Sequence, residues 1–154
     1  DLAVSYLLGD HSLDEQAEVT FRSWSGHIRQ ELESVRAALA KSEGQGALHV
    51  GVGHPGRTGM VAGLAMTHLV KDPQRVLVTT ATLEDGWLQV STRGTHEQVH
   101  RGLDLHAAVT DAATMAGGEG GGHAQAAGAR IPHHGLTAFM TTLQEALIPM
   151  LGLE

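Results

Sequence analysis

The sequence predicts an α/β domain, a mixed β-sheet flanked by helices and preceded by a long connector helix. Three observations predict it. A single apolar stripe runs from residue 13 to residue 39. From residue 47 onward, short β-prone runs alternate with segments of helical period. Finally, two Trp, two Phe and one Tyr stand beside 20 Gly, so Ala, Val and Leu must fill the interior. Small residues suit close helix–sheet layers, and 154 residues suffice for one core.

The elements follow in order. Residues 1–10 form a short mixed segment ending at Gly9-Asp10. Ser12-Leu13-Asp14-Glu15 reads as a capping box that opens the connector helix. Leu13, Ala17, Phe21, Trp24, Ile28, Leu32, Val35 and Leu39 recur at intervals of three and four, which places them on one face. Glu18/Arg22 and Arg29/Glu33 stand at i,i+4 on the other side. Gly44 and Gly46 end a helix of roughly 40 Å, the length of a connector that docks onto something. Residues 1–46 are therefore read as an N-terminal segment with its connector, and 47–154 as a second unit.

In that second unit Ala47–Val52 is a strand entering the turn Gly51–Gly59. A helix runs from about Thr58 to Val70, with Met60, Leu64 and Leu69 expected inside. Arg75–Leu83 is a strand, Glu84-Asp85-Gly86 a hairpin turn, and Trp87–Thr92 the antiparallel partner. Leu103–Met115 reads as a helix, Gly117–Gly122 as a glycine loop, and Gln125–Ile131 as a strand. Pro132–Gly135 turns into a last helix, Leu136–Leu151, with Phe139, Leu143, Leu147 and Leu151 on one face.

Composition narrows the chemistry. The absence of Cys excludes disulfides, thiolate catalysis and cysteine zinc sites. No apolar run approaches the ~20 residues of a membrane span, and no basic-then-apolar leader follows Asp1. A cytoplasmic chain without a membrane partner is expected, and Asp1 in place of Met reads as a fragment or a processed product. The net charge of −7, with only Lys41 and Lys71 against eight Arg, excludes a general nucleic-acid coat. A phosphate contact must then be a local site of backbone amides and a few Arg.

Three places could hold such a site. Gly117–Gly122 has five glycines in six residues, free to turn N–H groups inward as an anion-binding nest, with His123 at its edge. A glycine run can be merely a surface loop, but this one sits between a helix and an apolar strand. The turn Gly51–Gly59 opens a helix, whose N-terminus offers free amides, with His54, Arg57 and Thr58 beside them. Gly51 to Gly56 also matches G-x-G-x-x-G, but a dinucleotide site needs an acidic residue ending the next strand. Asp72 lies before that strand and Thr79-Thr80 in its middle. Arg93, a strand-end Arg before Gly94, is suited to a bidentate phosphate contact. Eleven histidines invite a metal site, but His133-His134 point apart, no H-E-x-x-H occurs, and His106 reads as structural. No metal ligand and no catalytic residue is expected in this chain.

Gly-His-Pro-Gly-Arg-Thr-Gly-Met-Val-Ala at 53–62, Ser91-Thr92-Arg93, Gly102–Ala108 and Gly120–Gly128 resemble the DHH-associated C-terminal domain of RecJ-type exonucleases, over roughly residues 47–148. The resemblance implies that a preceding Asp-His-His domain holds manganese (or magnesium) for phosphodiester hydrolysis, while this domain closes over the substrate. Carried over, Gly120, Gly121, Gly122 and His123 would be the substrate loop and Arg93 the phosphate-gripping Arg. His54, Arg57 and Thr58 would line the facing helix N-terminus. The implied partners are single-stranded nucleic acid or an oligonucleotide, the chain's own DHH domain, and replication or repair proteins. Gly53 stands where such enzymes commonly place an aromatic, and Arg57-Thr58 where aliphatic residues are common, a hint of an archaeal-type relative. No Asp-His-His is present, since Asp10-His11-Ser12 is not one, so the chain alone should be inactive. Two alternatives are an oligoribonuclease or cyclic-dinucleotide phosphodiesterase of the same family, and an inactive replication-associated interaction module.

Overall fold

The structure, a computed structural model, describes residues 15–153. The segment 1–10, the expected cap at 12–14, the Glu18/Arg22 pair and the side chains of Leu13, Ala17 and Phe21 lie outside what it describes. Helix α1 spans Glu15–Lys41. The remainder of its apolar stripe is turned inward, with Ile28 and Val35 buried and Trp24, Leu32 and Leu39 packed around them. On the solvent side Glu33 takes Arg36 as its partner at i,i+3, at 3.5 Å.

The chain continues through β1 (Gly46–Gly51), a 3-10 turn (Pro55–Arg57), α2 (Thr58–His68), β2 (Arg75–Thr82) and β3 (Trp87–Arg93). It then forms α3 (His96–His100), α4 (Leu105–Met115), β4 (Glu119–Gly122), β5 (Ala126–Pro132), a second 3-10 turn (His133–Gly135) and α5 (Leu136–Leu151). The five strands make one mixed sheet in the order β1-β2-β3-β5-β4. β1 and β2 are parallel, with Ala47 opposite Val76, and the other pairings are antiparallel. Alternation along the strands divides the core between two faces. Val50 and Leu77 meet α1 through Ile28 and Val35 and α2 through Val61, Ala62, Ala65 and Met66. Val76, Val78, Leu88, Val90 and Ile131 meet α4 and α5 through Leu105, Val109, Phe139, Leu143 and Leu147. β2 is covered on both faces, which is why Val76-Leu77-Val78 reads as a continuous apolar run.

The structure departs from the sequence expectation in three places. The inner face of α2 is Val61, Ala62, Ala65 and Met66, whereas Met60 is exposed and Leu64 and Leu69 are half-buried. α2 is apolar nearly all round, so composition does not mark one side. A five-residue helix, α3, precedes α4, too short to show a period. It is held by a capping box in which the Thr95 hydroxyl accepts from the Gln98 N–H and the Gln98 side chain accepts from the Thr95 N–H. Thirdly, Glu119–Gly122 is a strand rather than a loop. A Cβ at Gly120 would stand 3.0 Å from Ala113 Cβ and 3.1 Å from Val109 Cγ1, and one at Gly122 would meet Ala127 Cα at 2.6 Å. These glycines let α4 and β5 close on the sheet edge.

Candidate functional site

β3 ends at Arg93, paired with Leu77 on one side and Ala126 on the other. The side chain of Ser91, on the same face of β3, donates to Thr58 Oγ1 at 3.1 Å, so this face looks toward α2. Arg93 accordingly runs along α2, where Gly59 and Gly63 leave room. A Cβ at Gly59 would lie 3.0 Å from Arg93 Nη2, and one at Gly63 3.9 Å from Arg93 Nε. Arg93 Nη1 donates to the Thr92 carbonyl at 2.8 Å.

The turn from β4 to β5 brings up the second group. His123 N–H donates to Ala126 O and Ala126 N–H to His123 O, closing the hairpin around Ala124-Gln125. The turn is tied down from two sides, because Gly94 N–H donates to Gln125 O and Leu105 N–H donates to Ala124 O, each at 2.9 Å. His123 is exposed at its rim. Arg93 and His123 thus line one cleft of about 580 Å³, with Thr67 of α2, Thr95 and Gln125 as further polar walls. Its size is in the range of small-ligand sites.

Electrostatics sets Arg93 apart. Arg57, Arg101 and Arg130 reach Glu31, Glu97 and Asp85, and Arg36 reaches Glu33. Arg75 is buried and donates to the Gly44 carbonyl. Arg93, half-buried, has no carboxylate within ion-pair range among the described residues, and burial pushes its pKa down from the usual value. Arg93 is thus a partly desolvated cation that faces the cleft without a carboxylate partner among the described residues.

The other residues singled out from sequence lie elsewhere. Glu31 is buried and accepts Arg57 Nε at 3.0 Å, Arg57 Nη2 at 2.8 Å and the Gly53 N–H at 2.9 Å. Thr58 is buried and donates to the Pro55 carbonyl. His54 accepts the Gly56 N–H at Nδ1 and lines a different cleft, of about 710 Å³, at the far end of β3 beside Asp85 and Arg130. Arg130 pairs there with Asp85 and lies 4.4 Å from the centre of the Trp87 ring. Gly120 and Gly122 sit on the outer strand, where His106 Nδ1 accepts the Gly122 N–H at 3.2 Å. The structure therefore brings Arg93 together with His123, leaves Gly120, Gly121 and Gly122 in the outer strand and outside the lining of that cleft, and engages Arg57 and Thr58 in internal bonds. Sequence reasoning missed Gly59, Gly63 and the Thr95 cap. The Thr-x-x-Gln spacing was a readable signal for the cap, but nothing local announced the glycines.

Among the described residues, no group of three His, Asp or Glu is placed to hold a metal ion, and no helix is long and apolar enough to cross a membrane.

Comparison with solved structures gives the same fold. The C-Ala domain of alanyl-tRNA synthetase from Aquifex aeolicus superposes with a TM-score of 0.57 at 14% identity, over 70% of this chain and 97% of that one. RecJ from Thermus thermophilus, in complex with Mg2+, gives 0.62 at 17% identity, over 88% of this chain. A pGpG-specific phosphodiesterase from Vibrio cholerae gives 0.56 at 12% identity, over 92% of this chain. The chain spans 20% of that RecJ and 45% of that phosphodiesterase. No curated protein matches it by sequence. Residues 44–148 match the DHHA1 domain, two-thirds of the chain including both cleft residues, and the chain belongs to that family.

Proposed function

We propose that this chain is the substrate-gripping domain of a DHH-family phosphodiesterase of the RecJ type, positioning single-stranded nucleic acid for hydrolysis by a preceding DHH domain. The observation that carries the reading is Arg93: a half-buried guanidinium with no carboxylate partner, facing a cleft rimmed by His123. A phosphodiester supplies the missing negative charge, and Arg93 offers it N–H donors in a fixed fork. His123 donates from the rim, and the tethered turn beneath it keeps that donor in place. Thr95 and Gln125 add neutral donors and acceptors for sugar or base edges. Manganese or magnesium would, in this reading, be held by the DHH domain, where it would activate water. In this reading the protein works in the cytoplasm, in repair or replication.

A second reading is favoured by the likeness to the pGpG-specific phosphodiesterase. The same cleft would then grip a dinucleotide or short oligoribonucleotide. Full-length protein supplied with long single strands and with dinucleotides in parallel separates the two by which is cleaved faster.

The first prediction tests the grip itself. Arg93→Ala should weaken binding of a short single-stranded oligonucleotide about tenfold, the scale of one lost charge-assisted hydrogen bond. The slope of log affinity against log salt should also become shallower by about 0.7. Fluorescence anisotropy at several salt concentrations reads both, and unchanged affinity and slope would overturn the proposal. In the full-length enzyme His123→Ala should lower turnover on the order of 10²-fold, as loss of an orienting contact does.

A further inference from the structure

We infer that Gly59 is a positioning residue for Arg93: the missing Cβ at 59 decides where the guanidinium lies, and so where a phosphoryl group is held. The inference rests on the phosphate-gripping reading of the cleft.

Gly59 sits in the first turns of α2 and has no left-handed φ, so the backbone does not require a glycine there. Glycine inside a helix weakens it relative to alanine. Something other than helix formation therefore has to account for it. The nearest atom to a Cβ at 59 is Arg93 Nη2 at 3.0 Å, followed by Ser91 Oγ at 3.8 Å, with no backbone atom of another element within 4 Å. An alanine would leave the helix intact and push only the guanidinium, by a few tenths of an ångström.

The push acts on a guanidinium anchored at one point, the hydrogen bond from Nη1 to the Thr92 carbonyl, so it turns Nη2 about that anchor. Among the described residues the hydrogen bond of Arg93 is that of Nη1 to the Thr92 carbonyl, which leaves the Nε and Nη2 N–H groups available to a ligand in the cleft. Charge-assisted bidentate contacts are short and directional, so a displacement of this size costs binding while leaving the fold unaffected.

Four variants of this chain, titrated with the same short single-stranded oligonucleotide and melted in parallel, test it. Gly26→Ala is the control for helix propensity: Gly26 lies within α1, and its missing Cβ faces no atom within 4 Å. It should melt a few degrees higher and bind as the wild type does. Gly59→Ala should melt at or above the wild type yet bind about fivefold more weakly. The double variant Gly59→Ala/Arg93→Ala should bind no worse than Arg93→Ala alone, because the effect passes through Arg93. Wild-type affinity in Gly59→Ala, an added loss in the double variant, or a collapsed melting temperature in Gly59→Ala would each overturn the inference. If Arg93→Ala binds as well as the wild type, the reading of the cleft fails and the positioning role fails with it. If Arg93→Ala binds weakly and Gly59→Ala binds normally, the positioning role alone fails.

Discussion

Arg57 and Arg93 have the same side chain in opposite circumstances. Hydrogen bonds from Arg57 Nε and Nη2 to Glu31 raise the Arg57 pKa, whereas burial alone acts on Arg93 and lowers it. Nothing in Gly-Arg-Thr or Thr-Arg-Gly announces that difference, because it depends on Glu31 arriving from another helix. A third polar side chain, His49, has its own consequence. It is half-buried on β1 with Nε2 2.6 Å from Thr80 Oγ1, and desolvation lowers its pKa below 6.5. The unfolded chain therefore binds a proton more readily than the native one. Its contribution to stability is fully present above pH 6.5 and is lost as pH falls from there through the depressed native value. Melting curves recorded across that window should show His49→Gln losing less stability on acidification than the wild type. Parallel slopes would mean that His49 does not carry the effect.

At the level of elements, the glycine-rich segment is where composition and conformation part. Five glycines in six residues are compatible with a loose loop and equally with an edge strand under a helix. The choice falls to α4, whose Val109 and Ala113 press against Gly120, and to β5, which offers a partner backbone. Gly118 shows how tight this is: a Cβ there would fall on the Arg130 carbonyl oxygen and 2.8 Å from Ile131 Cα. Neither is the end of a flexible side chain. Gly118→Ala should therefore destabilise the domain by about 3 kcal/mol, at the upper end of overpacking costs. Urea denaturation measures it, and a loss under about 1 kcal/mol, the lower end of that range, would show that the edge strand yields freely. The long helix α1 and the hairpin β2–β3 were legible for the opposite reason. Their signals, an apolar stripe and an Asp-Gly turn between β-prone runs, are local.

For the whole molecule, the decisive contact joins α1 to the β1–α2 turn. Glu31 buries its carboxylate between the Gly53 N–H and the Arg57 guanidinium, so α1 is bonded to the β1–α2 turn as well as packed on it. Glu31→Gln removes the charge and leaves Arg57 without its counter-ion. Because the two side chains are only 10% and 16% exposed, the loss should be about 2 kcal/mol, between that of a surface pair and that of a fully buried one. Thermal melting reads it, and an unchanged melting temperature would mean that packing alone seats the helix. By itself the sequence determined the α/β class, the order of most elements, the inward stripe of α1, and Arg93 and His123 as candidate site residues. Each follows from patterns that repeat or cluster within a few residues. Tertiary structure decided that Arg93 and His123 share a cleft while His54 faces another, that Arg57 and Thr58 serve the interior, and that Gly120, Gly121 and Gly122 lie in a strand. Those outcomes depend on which distant side chain or backbone occupies the neighbouring space, and no spacing along the chain encodes that.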